Sequence, residues 1–196
     1  NGLVSGSKYG GSSSVNNYGD ITATAYNGTA LGVLAYGNGV YVGNDNAITA
    51  TSTYGAAIGV FGYATLGDVN FYNGAAGTIS ASGYDQATAV GLLSATGNVY
   101  ASNYGDLYAS ANGDTVAAAS GLYVIGATVG LYNGGDISAV ANAAGATGSA
   151  YALGVDASAT NLLTLDNAGT IEADATGAYS YATGVSASSA TAGIVT

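Results

Sequence analysis

The chain has 196 residues, one Lys and no Arg against eleven Asp and Glu, and a net charge of −10. Nucleic-acid phosphate and anionic membrane surfaces are both held by Lys and Arg, so neither is an expected partner. There is no Cys and no His, which removes thiol, disulfide and imidazole chemistry.

Charged residues make up only 6%, but 48% are hydrophobic, and Val, Ile, Leu and Tyr recur in phase. That pattern predicts an ordered chain. No apolar run approaches the ~18 residues of a membrane span, so no membrane insertion by this segment is expected. The start shows no signal peptide and no initiating Met, so the sequence reads as a mature or excised piece of something longer.

Residues 1–16 read as a partial coil, with Leu3, Val4 and Val15 as its apolar marks and Gly10 to Ser14 as a turn. A motif then begins to recur. It reads Asn17-Tyr18-Gly19-Asp20-Ile21, Asn103-Tyr104-Gly105-Asp106-Leu107, Asn133-Gly134-Gly135-Asp136-Ile137 and Asn167-Ala168-Gly169-Thr170-Ile171. Looser copies start at Asn44 and Asn73. The lead Asn residues are 27, 29, 30, 30 and 34 apart, a period that marks a repeat architecture. Full coils are expected over approximately 17–43, 44–72, 73–102, 103–132, 133–166 and 167–196, forming one repeat domain.

Each coil carries three short apolar segments. The first follows the lead turn and alternates, as in Ile21-Thr22-Ala23-Thr24-Ala25 and Ile137-Ser138-Ala139-Val140-Ala141. Alternation of this kind is that of a strand with one buried face. The second sets apolar residues astride a Gly: Leu31-Gly32-Val33, Ile58-Gly59-Val60, Val90-Gly91-Leu92, Leu153-Gly154-Val155, with Ser120-Gly121-Leu122 and Thr183-Gly184-Val185 as weaker copies. A Gly recurring inside a strand predicts a bulge or a close backbone approach. The third closes the coil, as in Val40-Tyr41-Val42 and Val129-Gly130-Leu131, two residues before the next Asn. Changes of coil length are expected between the first and second segments, around Tyr84 to Thr88 and Asn142 to Ser149.

Three strands per coil of ~30 residues predict an all-β fold, a parallel β-solenoid of about six coils. Identical positions should then stack as rows. The clearest is Asn17, Asn44, Asn73, Asn103, Asn133 and Asn167, whose amides can hydrogen-bond along the axis. Asn also tolerates the left-handed backbone that a corner can require.

The recurring Asn-x-Gly-(Asp/Thr)-Ile and the richness in Gly, Ala, Ser, Thr and Asn without Cys resemble the β-solenoid passenger regions of Gram-negative autotransporters and haemagglutinin-like adhesins. The resemblance covers almost the whole chain. It implies a secreted or surface-exposed stalk serving adhesion or aggregation.

Chemistry-bearing groups are sparse. Without His or Arg no general base stands poised near neutrality, and the acids are scattered singly, so an enzyme is not expected. No cofactor is expected either. Asp106 and Asp136 hold one position in neighbouring coils, and Asp20 holds it in the first. They are the candidates for a Ca²⁺ site, against the reading that they cap turn N–H groups. Thr22, Thr24, Thr49 and Thr51 form short outward rows of the kind an ice-binding face uses, broken further on by Tyr108, Val140 and Glu172. Tyr41 and Tyr100 share one outward register, and Tyr72 and Tyr132 another. Exposed Tyr rows suit glycan stacking or protein contact.

The expected function is an extracellular or cell-surface structural fibre or adhesin stalk. Its expected partners are further coils of the same kind, in one longer chain or end to end, and a glycan or cell-surface ligand. A glycan-binding module that uses the Tyr rows is the alternative. A polysaccharide-cleaving enzyme or an ice-binding protein stands further off. Lys8, the only Lys or Arg, limits trypsin to a single cut near the start.

Overall fold

The computed structural model describes residues 2–7, 10–191 and 194–195. Lys8, and with it the expected trypsin site, lies outside the described residues. Among the described residues there are twenty strands and no helix. The strands stack as three parallel sheets, one strand of each per coil, in a β-solenoid of about six coils.

An isoleucine face holds Ile21–Ala25, Ala47–Ser52, Thr78–Gly83, Asp106–Gly113, Asp136–Ala143 and Thr170–Thr176. A glycine face holds Leu3–Gly6, Ala30–Gly37, Ala57–Ala64, Gln86–Ser94, Val116–Gly126, Ser149–Ala159 and Tyr179–Ser189. A tyrosine face holds Ser13–Asn17, Val40–Asn44, Val69–Asn73, Val99–Asn103, Val129–Asn133, Leu163–Asn167 and Ile194–Val195.

The stacking is in register because each face sends at least one apolar row inward. Ile21, Ile48, Ile79, Leu107, Ile137 and Ile171 align on the isoleucine face. Val33, Val60, Val90, Leu122 and Val155 align on the glycine face, and Val40, Val69, Val99, Val129 and Leu163 on the tyrosine face. The rows merge into one core filled out by Ala. Burying each branched side chain contributes about 1.5–3 kcal/mol, and a slip of one residue would turn a whole row outward.

On the glycine face the alternation breaks once per strand. Gly32 and Val33 are both buried, as are Gly59 with Val60 and Gly154 with Val155. The pairing stays one-to-one across this point, Leu31 with Ile58 and Val33 with Val60, so the expected bulge is absent and two consecutive buried residues interrupt the alternation instead. A methyl group on Gly59 would lie 2.5 Å from Ile79 Cγ2 and 2.6 Å from the Ala89 carbonyl oxygen. The close approach expected at this Gly is therefore present, but one coil departs from the sequence reading. Gly91 pairs with Phe61, and the position opposite Gly59 is Ala89, two residues earlier. Gly91 imitates the motif locally; in the fold it lies under the Phe61 ring, whose Cδ2 would be 3.2 Å from an added methyl.

The length changes are also more widely spread than expected. The longest coil does gain most of its residues where the sequence placed them: residues 144–148 follow Ala143, where only Asp114 and Thr115 follow the paired Gly113. The step from 27 to 29 falls elsewhere. Asn38 and Gly39 join the glycine face to the tyrosine face in one coil, and residues 65–68 do so in the next. Strands are held by stacking, so any corner can absorb extra chain on the surface.

Candidate functional site: the asparagine row and the tyrosine face

The six lead Asn residues end the tyrosine-face strands and pair directly with one another. Each side-chain amide donates from Nδ2 to the next Oδ1. The distances are 2.7 Å from Asn17 to Asn44, 2.8 Å to Asn73, 2.8 Å to Asn103, 2.7 Å to Asn133 and 2.8 Å to Asn167. The second amide hydrogen goes to a carbonyl of the same turn: Asn46 for Asn44, Gly77 for Asn73, Gly105 for Asn103 and Gly135 for Asn133. Those carbonyls only accept, which fixes the nitrogen end of each amide. All the amides therefore point the same way along the axis. The row is buried from Asn17 to Asn133, and the described residues leave no buried side-chain polar atom without a partner.

Two readings of these turns change. No non-Gly residue among the described ones has a positive φ, so Asn is not used for a left-handed corner. Its side chain alone accounts for the position. The turn N–H groups at Gly19 and Asn46 are capped by Asn17 Oδ1 and Asn44 Oδ1, at 3.3 and 3.4 Å, so the Asx turns there belong to Asn and not to Asp.

Asp106 and Asp136 do stack, exposed, between Thr78 and Thr170. Asp20 occupies the same row but is separated from them by Ala47 and Thr78. Among the described residues no three acids gather to hold a metal, and Ca²⁺ takes six to eight oxygens. On the same face Thr22, Thr49, Ser80, Tyr108, Ser138 and Glu172 form one row, so the Thr pattern spans only its first two members.

The tyrosine face is more ordered than its two registers suggest. One outward row reads Ser14, Tyr41, Asn70, Tyr100, Gly130, Thr164. The other reads Asn16, Gly43, Tyr72, Ser102, Tyr132, Asp166. Each central strand thus carries one Tyr, on alternating rows, with a small or amide residue in the other place. The rings lean over glycine. Tyr41 covers Gly43, where a methyl would lie 3.0 Å from the phenol oxygen, and Tyr132 covers Gly134 at the same distance. Tyr100, whose strand has Ser102 in place of that Gly, leans across to Gly130 instead, with Cδ1 at 3.0 Å. A ring set down on glycine shields backbone on one side and presents its other side to water.

Tyr104, from the turn, fills the gap between Tyr72 and Tyr132, with ring centroids 5.7 and 5.0 Å away. A second column, Tyr26, Tyr54 and Tyr84, stands at the corner after the isoleucine face with centroids 5.1 and 6.1 Å apart. Neither contact was read from the sequence, although the column repeats at 28 and 30 residues, one coil each. Asp114 continues this column. Its carboxylate, beside the Tyr84 hydroxyl, holds that phenol above its ordinary value, helped by partial desolvation and the nearby Asp85.

An open groove of about 540 Å³ runs beside Tyr41, lined among others by Ser14, Asn38, Leu66, Asp68 and Asn70. Comparison with protein-family models, with curated proteins and with solved structures finds no match to this chain.

Proposed function

We propose that this chain is a structural, non-catalytic segment of an extracellular fibre or adhesin stalk, of the kind found in autotransporter and haemagglutinin-like passenger regions. The observation that carries the reading is the unbroken Asn row. Five successive amide-to-amide hydrogen bonds, all pointing one way, tie every full coil to the next. Such a column resists separation of coils along the axis, which is the direction in which a stalk is pulled. Further coils of the same kind, in the same chain or in another copy, would extend it. A bacterial cell surface is the setting that suits an acidic solenoid without Cys. The test is display of the chain on a non-adhesive bacterium. Increased settling or surface attachment is expected; cells that behave as before would overturn the reading.

A second reading, a glycan-binding module, is favoured by the tyrosine face. Tyr41, Tyr72 and Tyr100 keep 38%, 39% and 44% of their surface exposed while leaning on neighbouring backbone. Rings that are held in place and bare on one side suit sugar stacking.

A further inference from the structure

Resting on that second reading, we infer that the row Ser14, Tyr41, Asn70, Tyr100 binds an uncharged, extended, β-1,4-linked polysaccharide laid parallel to the solenoid axis. Three observations converge on this ligand.

The first is the groove. Its lining joins Tyr41 and Leu66 to the polar groups of Ser14, Asn38, Asp68 and Asn70. Sugar rings present both surfaces: axial C–H groups for an aromatic ring and hydroxyls for amides and carboxylates. Asp68 is already placed, since one of its oxygens accepts from the Asn98 backbone N–H at 2.8 Å. The other oxygen has no such partner there and is an acceptor for a hydroxyl.

The second is the direction of the row. Register pairing makes it straight, one residue per coil. Tyr41 and Tyr100 are attached two coil steps apart, about 10 Å, with Asn70 between them. An extended β-1,4-linked chain runs straight and shows the same ring face at every second sugar, so it can lie along such a row and meet one ring after another. Chains linked α-1,4 or β-1,3 coil, and cannot follow a straight row over several coils.

The third is charge. The whole chain carries −10 with one Lys, and Asp68 sits in the groove. Uronate polymers and sulfated glycans would be repelled, which leaves neutral chains.

The experiment is titration of the chain with cellohexaose, maltohexaose and hexagalacturonate, followed by calorimetry and by tyrosine ring NMR signals. Cellohexaose should bind and shift the Tyr41 and Tyr100 rings. Tyr41→Ala and Tyr100→Ala should each weaken binding about tenfold. Tyr54→Ala, on the other Tyr column, should leave it unchanged. All three residues are exposed, and unaltered circular dichroism would show that the variants fold. Equal binding of maltohexaose or hexagalacturonate would overturn the extended neutral ligand while leaving a glycan-binding module standing. Cellohexaose binding that survives both Tyr41→Ala and Tyr100→Ala would overturn the site. Binding of none of the three sugars would overturn the inference and the second reading together, and would not touch the stalk.

Discussion

Gly59 and Ile79 leave no room for each other to be larger: a methyl on Gly59 would stand 2.5 Å from Ile79 Cγ2. The same pairing recurs at Gly32 with Ile48 and at Gly154 with Ile171. In one coil the Gly is replaced, by Ala89, and by the same one-coil offset its partner is Leu107. Leucine has no Cγ2. The two departures fall at the same junction, and the row is set by crowding from the isoleucine branch and the next coil's carbonyl and not by a left-handed backbone. Only Gly10 and Gly28 among the described residues have positive φ.

Gly59→Ala should therefore destabilise the solenoid by overpacking, by about 1–3 kcal/mol. Ile79→Leu on the same chain should return part of that loss, because the Cγ2 clash goes and the contact with the Ala89 carbonyl stays. Denaturant unfolding of the two single variants and the double variant measures the coupling. Strictly additive losses would contradict the pairing.

Removing an amide from the middle of the Asn row strands two neighbours. Asn73→Ala leaves Asn44 Nδ2 without one acceptor and Asn103 Oδ1 without its inter-coil donor. Each buried orphan costs about 1–3 kcal/mol. Asn17→Ala, at one end of the row, breaks a single inter-coil bond and should cost about half as much. Thermal unfolding of both variants gives the comparison, and equal losses would mean that the row is not read coil by coil.

Tyr84 provides a pH dependence. The Asp114 carboxylate beside the hydroxyl raises its folded value above the ordinary 10.0. The fold thus favours the neutral phenol, and this contribution to stability is complete below pH 10.0 and is lost as pH rises through the folded value. Asp114→Asn should bring the Tyr84 ring titration, followed by NMR, to lower pH. A titration that does not move would place the cause elsewhere.

The extra chain at residues 144–148 should be dispensable. Cutting it to the two-residue link that Asp114 and Thr115 form one coil earlier keeps both flanking strands in register. The change in unfolding free energy should stay within about 1 kcal/mol, since loop closure varies slowly with length. A large loss would show that this corner, and not the stacked strands, carries stability.

The period of the lead Asn made the solenoid legible, because in a parallel stack sequence spacing and register are one quantity. The Gly row was less so. Val90-Gly91-Leu92 copies the motif, and only pairing with Phe61 shows that the inward position is Ala89. Tyr104 and the column of Tyr26, Tyr54 and Tyr84 come from turns, where strand periodicity gives no direction, so their contacts appear only once the coils are stacked. The groove beside Tyr41 joins three coils at one corner and has no signature within any single coil.

The Asn row also bears on how the protein ages. In an Asn-Gly pair the glycine nitrogen attacks the side-chain carbonyl carbon and ammonia leaves, and water then opens the cyclic imide to aspartate or its isomer. Asn73-Gly74 and Asn133-Gly134 carry that liability inside the row. There the Gly74 and Gly134 nitrogens donate to the Asn44 and Asn103 carbonyls at 2.8 and 2.7 Å, and the amides they would attack are held from both sides. Attacker and target are pinned apart for as long as the coils stay stacked. Asn27, exposed in a turn before Gly28, has no such restraint. Chemical wear is expected at such exposed turns first, and at the column of amides only after the stack has opened.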